Sequence, residues 1–187
     1  MSTARRLHYS YAEYLDVERQ SSVRHEYLDG EIYAMAGGTP EHGILASRVA
    51  ALIAGRLPEG CRVGNSDVKI NVLATGLRTY PDASVICGAL QRDPKDELAV
   101  TNPVLLVEVT SASTEDYDRG DKLSHYKQID SLKAVLLVSH ATKRLTVVER
   151  GPEGWVTTDY RVSEVAAIAS PALTLGVDEV YAVLAGL

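Results

Sequence analysis

Residues 103–111 constrain the fold more than any other part of the chain. They read Pro-Val-Leu-Leu-Val-Glu-Val-Thr-Ser, and an aliphatic run this rich in valine is typical of a strand buried on both faces in the middle of a sheet. An ionised Glu among such side chains is strongly unfavourable unless a cation pairs with it. We therefore expect Glu108 to face a metal ion or a lysine.

A second apolar strand fixes the fold class. Residues 133–139 are almost wholly aliphatic, and a predicted helix over residues 115–129 separates them from the Glu108 strand. A strand, helix and strand of these lengths predict two parallel strands joined by a right-handed crossover. The chain is therefore predicted to be an α/β protein bordering on α+β, with a mixed central sheet flanked by helices.

Two hairpins are predicted on either side of this unit. Asp29-Gly30 lies at the centre of residues 24–36 and is a strong signal for a two-residue hairpin turn. Alternating residues 143–150 turn at 151–154 into a partner strand, which predicts an antiparallel hairpin at the sheet edge. The remaining predictions are helices over 10–17, 39–57 and 178–184, strands over 67–72, 80–87 and 173–175, and a charge-rich loop over 88–102.

Composition narrows the class of protein. At 187 residues, with 45% hydrophobic and 24% charged residues, we expect one globular domain over residues 1–187. The net charge of -6 disfavours a protein that holds nucleic acid by charge alone. An acidic total remains compatible with nucleic acid if a divalent cation offsets a cluster of carboxylates.

Cysteine spacing and the N-terminus predict the compartment. Cys61 and Cys87 lie far apart and show no spacing of a zinc site or a disulfide framework, so we expect two buried thiols in a reducing cytoplasm. Residues 1–14 lack the apolar region of an export signal, and no run is long enough to span a bilayer. A cytoplasmic location without membrane insertion is the expectation.

Asp82 and Glu108 are the acidic residues that open or interrupt apolar strand sequence. If their strands are adjacent, the two carboxylates come together and cannot both stay ionised without a cation. Oxygen ligands suit Mg²⁺ or Mn²⁺, which would polarise a phosphodiester and activate water. The alternative is that each carboxylate forms a strand-end salt bridge with an Arg or Lys.

A lysine near such a metal could orient the attacking water. The position two residues beyond Glu108 would suit a lysine on the sheet, but it is occupied by Thr110. We therefore nominate Lys122 on the following helix, which shares a helix face with Asp118 and Tyr126. The alternatives are a solvated lysine and a tyrosine that only packs. His42, in the first turn of a predicted helix, is either a site residue or a surface histidine without a function.

Glu26 and Glu31 flank the predicted turn at Asp29-Gly30. Each is either a solvated charge at the sheet edge or a carboxylate that points into a cleft.

These residues together resemble a known family. The resemblance covers residues 11–181 and rests on Pro81-Asp82, residues 107–114 and 118–123, Tyr126, the hairpin 29–36 and His42, which occur in the family's order and at similar intervals. The chain resembles the Uma-type restriction endonuclease family of the PD-(D/E)XK nuclease superfamily. The resemblance implies a restriction-endonuclease-like core, a divalent metal held by Asp82 and Glu108, a catalytic lysine at Lys122, and a further acidic ligand at Glu31.

Three functional hypotheses follow. The first is a Mg²⁺- or Mn²⁺-dependent endonuclease acting on DNA, with Asp82, Glu108, Lys122, Glu31 and His42 as site residues. The second is a catalytically inactive DNA- or protein-binding module with the same fold. The third, hydrolysis of sugars by a carboxylate pair without metal, is disfavoured because no aromatic platform lies beside Asp82 or Glu108. A homodimer is compatible with symmetrical cleavage of two strands.

Overall fold

The computed structural model describes residues 8–35 and 37–186, whose strands form two six-stranded sheets and one two-stranded sheet. Residues 1–7, which belong to the N-terminal segment for which we predict no export signal, and Ala36, the last residue of the predicted N-terminal hairpin, lie outside the described residues. In chain order the elements are α1 (Tyr11–Gln20), β1 (His25–Leu28), β2 (Glu31–Ala34), α2 (Pro40–Ala54), β3 (Cys61–Asn65), β4 (Lys69–Val72), β5 (Leu77–Thr79), β6 (Ala83–Cys87), β7 (Arg92–Asp93), β8 (Asp96–Val100), β9 (Leu105–Val109), α3 (Glu115–Arg119), α4 (Asp121–Tyr126), β10 (Ala134–Val138), β11 (Arg144–Gly151), β12 (Gly154–Arg161), β13 (Val165–Ile168), β14 (Leu173–Gly176), α5 (Val177–Tyr181) and a final 3-10 turn (Ala182–Leu184).

The central sheet is built around the strand that carries Glu108. Its order is β12-β11-β10-β9-β6-β3, so β9 lies inside the sheet, and all five of its residues are buried. Strands β9 and β10 are parallel, whereas β6 pairs antiparallel with β9, and β11 with β10. The predicted mixed sheet, its parallel pair and the edge hairpin of β11 and β12 are confirmed.

The two faces of β9 contact different parts of the molecule. Val107 and Val109 pack with residues of α2, β14 and α5 in one core. Leu106 packs in a second core, formed with α4 and with β4 and β5 of the other sheet. Because side chains alternate along a strand, Glu108 lies on the same face as Leu106. Glu108 therefore points toward α4 and the other sheet.

The second sheet has the order β2-β1-β5-β4-β8-β7 and contains the N-terminal hairpin. Asp29 and Gly30 have φ values of 49° and 81°, as a tight hairpin turn with two positive φ angles requires. The predicted hairpin is thus confirmed, with β1 inside the sheet and β2 at its edge. The loop predicted over residues 88–102 is wrong in part, because it contains the short strands β7 and β8.

Strand β4 is buried on both faces, whereas its alternation predicts that one face is solvated. Its polar side chains Lys69 and Asn71 contact the carboxylates of β7 and β8 instead of water. Lys69 Nζ lies 2.8 Å from Asp96 Oδ2, and Asn71 donates to Asp93. We call Lys69, Asn71, Arg78, Asp93 and Asp96 the α1 network, because rings of α1 cover it: Tyr11 donates to Asp96 at 3.1 Å and stacks on Arg78.

The helices follow the sequence closely. Helix α1 has the predicted capping box of Ser10 and Glu13, and α2 begins at Pro40 with Thr39 as its cap. The helix predicted over 115–129 is divided at Gly120 into α3 and α4, and it ends at Tyr126. A Cβ at Gly120 would lie 2.8 Å from the carbonyl oxygen of Asp116, so a glycine permits the close approach that the break requires.

Cys61 and Cys87 form a disulfide that joins β3 to β6. The prediction of two separate thiols is therefore wrong. The sequence separates the cysteines by 26 residues, but the antiparallel register of β3 and β6 places them directly opposite each other. A cytoplasmic location stays a prediction. Among the helices that the structure describes, none is both long and apolar enough to cross a membrane.

Candidate active site

Asp82 and Glu108 lie at neighbouring ends of β6 and β9. Ala83, the residue after Asp82, pairs with Val107, the residue before Glu108. Asp82 Oδ2 accepts a hydrogen bond of 2.7 Å from the backbone nitrogen of Val109. The antiparallel register thus places both carboxylates at the same end of this strand pair. Adjacent strands carry the two residues, as the sequence predicts.

Lys122 is the centre of the site. Its Nζ lies 3.0 Å from Glu108 Oε1, 3.1 Å from Glu26 Oε1 and 3.7 Å from Asp118 Oδ1. The side chain is almost fully buried, so the solvated alternative is wrong. We call Glu26, Asp82, Glu108 and Asp118 the carboxylate cluster. One ammonium group therefore contacts three of the four carboxyl groups of this cluster.

Glu26 is a site residue that the sequence analysis leaves undecided. It is buried on β1, contacts Lys122, and accepts hydrogen bonds from the hydroxyls of Thr79 and Tyr117. Glu31 lies on the edge strand β2, where it pairs in register with Leu28 and accepts a hydrogen bond from Tyr33. The structure therefore brings Glu26 to Lys122. The prediction that Glu31 is a metal ligand is not tested by these contacts.

The helix face predicted from the spacing of Asp118, Lys122 and Tyr126 is buried against Glu108. The Tyr126 hydroxyl donates a hydrogen bond of 2.5 Å to Glu108 Oε1, the same oxygen that faces Lys122. All three residues are buried. Tyr126 thus does more than pack, since its hydroxyl fixes one oxygen of the Glu108 carboxylate.

His42 reaches the site from the first turn of α2. Its Nε2 lies 2.9 Å from the carbonyl oxygen of Val109 and 3.4 Å from Asp82 Oδ2. A carbonyl oxygen has no proton to give, so Nε2 carries the hydrogen and donates it. His42 therefore has partners at the site, and a function for it there stays a prediction.

The pKa values at the site reflect both burial and an excess of carboxyl groups over ammonium groups. Burial raises the pKa of Glu108 to about 8, although Lys122 acts to lower it. Burial also raises the pKa of Asp118 against the same ammonium group. For Lys122, burial disfavours the charge, but Glu108 and the other acidic groups outweigh it and raise the pKa well above its usual value. Lys122 therefore stays charged and is shared by more carboxylates than it can neutralise.

The imidazole of His42 is affected in the same way. Its hydrogen bond with Asp82 raises the pKa, while burial acts in the opposite direction. The site thus favours the protonated forms of His42, Glu108, Asp118 and Lys122. An added cation would act in the same direction.

Among the described residues, the possible ligands would give a metal ion only an incomplete coordination shell. Within residues 8–35 and 37–186, no group of three or more His, Cys, Asp and Glu side chains is arranged to hold a metal ion. The oxygen donors that converge beside His42 are one carboxylate, Asp82, and one backbone carbonyl, Val109. Glu108 supplies a second carboxylate nearby, close enough for Asp82 to raise its pKa.

Comparisons with known proteins agree on one family. The model of the Uma2 family, described as "Putative restriction endonuclease", matches residues 11–182. The uncharacterized protein slr1290 of Synechocystis sp. is 39% identical over 92% of this chain and 91% of its own length. A second uncharacterized protein of the same organism, sll1609, is 30% identical over 79% of this chain and 85% of its own.

A solved structure shares the fold. It is described as "a putative nuclease belonging to DUF820" from Anabaena variabilis, and it superposes with a TM-score of 0.72 at 17% identity over 88% of this chain and 93% of the other. The predicted restriction-endonuclease-like fold class is confirmed.

Proposed function

The chain belongs to the Uma2 family, and on that premise we propose that it is a metal-dependent endonuclease that hydrolyses phosphodiester bonds of DNA. One observation carries the proposal: the buried ammonium group of Lys122 lies among the carboxylates of Glu26, Glu108 and Asp118, and the strand of Glu108 pairs with the strand that Asp82 precedes. A purely structural ion pair needs one carboxylate for one lysine. An acidic excess this well ordered is what a nuclease requires for a cation and a phosphate.

The residues at the site fit a divalent cation such as Mg²⁺ or Mn²⁺. Carboxylate and carbonyl oxygens are the ligands that these ions prefer, and the site offers Asp82, Glu108 and the carbonyl of Val109. Burial and Asp82 together make ionised Glu108 unfavourable without a further cation. In our proposal Asp82 and Glu108 hold the ion, with Glu31 retained as a predicted further ligand. The bound ion supplies charge that polarises the phosphodiester and activates water.

The remaining residues of the site position the reacting groups and stabilise the charge that develops on the phosphate. Lys122 stays protonated, so it acts as a fixed charge that orients water and stabilises negative charge developing on the phosphate. Tyr126 holds Glu108 Oε1 through its hydroxyl, which leaves the other oxygen of that carboxylate to the ion. Glu26 and Asp118 hold the ammonium group of Lys122 in place, because both lie within 3.7 Å of its Nζ.

Cleavage of plasmid DNA in Mn²⁺ or Mg²⁺ tests the proposal. We expect Asp82→Asn, Glu108→Gln and Lys122→Met each to reduce the cleavage rate by at least about a hundredfold, since each removes charge stabilisation at the phosphate. The matched control is Asp16→Asn, which alters an exposed ion pair with Arg19 on α1 and should cleave at the wild-type rate. Circular dichroism melting separates lost activity from lost folding.

Two results would contradict the proposal. Wild-type rates in both Asp82→Asn and Glu108→Gln would remove the carboxylates from catalysis. Binding of DNA without cleavage in any metal would instead favour the inactive binding module. Repeating the assay with RNA of the same sequence identifies the nucleic acid, and light scattering with and without DNA tests the predicted homodimer.

A further inference from the structure

His42 occupies the approach to the two oxygen atoms that a cation would use. Its Nε2 faces both the Val109 carbonyl, at 2.9 Å, and Asp82 Oδ2, at 3.4 Å. Nitrogen bound to hydrogen can donate to these oxygens, but it cannot bind a cation while it does so. A cation held by Asp82 and the Val109 carbonyl would therefore compete with this N–H group for the same oxygens.

The backbone before α2 is shaped to receive the histidine ring. A Cβ built on Gly38 would lie 2.6 Å from Nδ1 and 2.9 Å from Cγ of His42, which is closer than real Cβ atoms approach other atoms. A Cβ on the preceding Gly37 would meet nothing within 4 Å. The contact is thus specific to Gly38. The histidine ring can occupy this position beside Gly38, which we call its seat, only because residue 38 has no side chain.

The ring also has a way out of the site. The side chains of His42 and Asp82 are 19% and 17% exposed, unlike Lys122 and Glu108, which are 6% exposed. His42 belongs to the first turn of α2, whose neighbours Glu41 and Gly43 are exposed. A rotation about its side-chain bonds can therefore carry the imidazole toward solvent without unfolding the strands.

We propose that His42 is a gate: in the metal-free protein its Nε2–H group binds Asp82 and the Val109 carbonyl, and it leaves that position when a divalent cation binds. The inference rests on the proposed metal site at Asp82 and Glu108. It deepens that proposal, because it assigns His42 a role opposite to that of a metal ligand. Gly38 then sets how firmly the gate closes.

Calorimetric titration with Mn²⁺ alone distinguishes a gate from a ligand, because the two roles predict opposite signs. If His42 competes with the ion, His42→Ala should lower the Kd for Mn²⁺ by about three- to tenfold, the value of the hydrogen bond no longer broken. If His42 is a ligand, the same variant raises the Kd. An unchanged Kd would also overturn the gate.

Two glycine variants keep the imidazole and move only its seat. Gly38→Ala should displace the ring and lower the Kd for Mn²⁺ in the same direction as His42→Ala. Gly37→Ala, the matched control, should bind Mn²⁺ as the wild type does. Equal affinity in both glycine variants would show that the seat has no effect on binding and would overturn the role given to Gly38.

A second measurement, made with Mg²⁺ instead of Mn²⁺, tests the movement of His42 separately from the affinity of the metal site. In ¹⁵N spectra of the histidine rings, assigned with His42→Ala, addition of Mg²⁺ should move the His42 resonances away from their metal-free positions toward those of Gly38→Ala. Resonances that stay in place while Mg²⁺ binds would overturn the gate and leave the metal site intact. If the wild type and all three variants bind no ion, whereas DNA is still cleaved in EDTA, the proposed metal site itself fails.

Discussion

Two buried clusters of charge in this protein contain a lysine among carboxylates, yet the pKa values of their carboxylates move in opposite directions. In the α1 network, burial raises the pKa of Asp96, but Lys69, the backbone of Leu98 and Tyr11 lower it below the usual range. In the carboxylate cluster, burial prevails and raises the pKa values of Glu108 and Asp118 in spite of Lys122.

The difference lies in the number of partners. The α1 network sets Lys69 and Arg78 against Asp93 and Asp96, so that its charges are matched. In the carboxylate cluster Lys122 faces three carboxyl groups, and the imidazole of His42 faces the fourth, Asp82. Matched charges stabilise a fold without any further component, whereas an excess of one sign requires a partner from outside. The first cluster is therefore structural, and in our proposal the second takes up a cation.

The largest effect that tests this comparison is on folding. Lys69→Met leaves the Asp96 carboxylate buried without its ammonium partner, so we expect a loss of about 3–5 kcal/mol in the free energy of unfolding. Urea unfolding at pH 7 measures it. The double variant Lys69→Met with Asp96→Leu removes both charges and should recover most of the loss. A loss below 1 kcal/mol in the single variant would show that the network does not depend on matched charge.

A smaller effect of opposite sign is expected in the carboxylate cluster. The pKa of Glu108 is about 8 in the folded protein, so at pH 7 folding requires this carboxyl group to take up a proton. Glu108→Gln removes that cost, so the metal-free protein should become more stable by about 1–2 kcal/mol. Thermal melting in EDTA measures the change. The corresponding variant of the α1 network, Asp96→Asn, should lower stability, because it removes a charge that Lys69 needs. The comparison breaks if both variants shift the melting temperature in the same direction.

The smallest expected effect is on the loss of folding stability at acid pH. The pKa of Asp96 is lower in the folded protein than in the unfolded chain, so this group contributes stability above the unfolded value of about 4, and that stability is lost as the pH falls further. We expect Asp96→Asn to flatten the fall of stability below pH 4, measured by urea unfolding across that range. A curve parallel to that of the wild type would show that Asp96 does not titrate with folding.

The sequence predicts those site residues that depend on local patterns. Asp82 and Glu108 stand out because each interrupts or opens an apolar strand, and Lys122 and Tyr126 follow from the helical repeat with Asp118. The central sheet is predictable for the same reason, since β9 and β10 are almost wholly aliphatic.

Glu26 is not predictable in this way. Glu26 and Glu31 are equivalent by sequence, and their difference arises because β1 pairs with β5 while β2 is left at the edge. The order of strands in a sheet depends on partners distant in sequence.

The same nonlocal pairing explains the other differences. Strands β7 and β8 look like a charged loop, because their buried carboxylates find partners distant in sequence, in β4, β5 and α1. The two cysteines meet only through the register of β3 with β6.

The disulfide also determines how the chain would respond to force. Cys61 and Cys87 enclose β4, β5 and the strand entry at Asp82, so a pull applied at the two termini would bypass this segment and pass through the sulfur bridge. With 26 residues of separation, the oxidised chain would extend roughly 90 Å less than the reduced one. The segment that carries Asp82 is thus shielded from mechanical load for as long as the bridge holds.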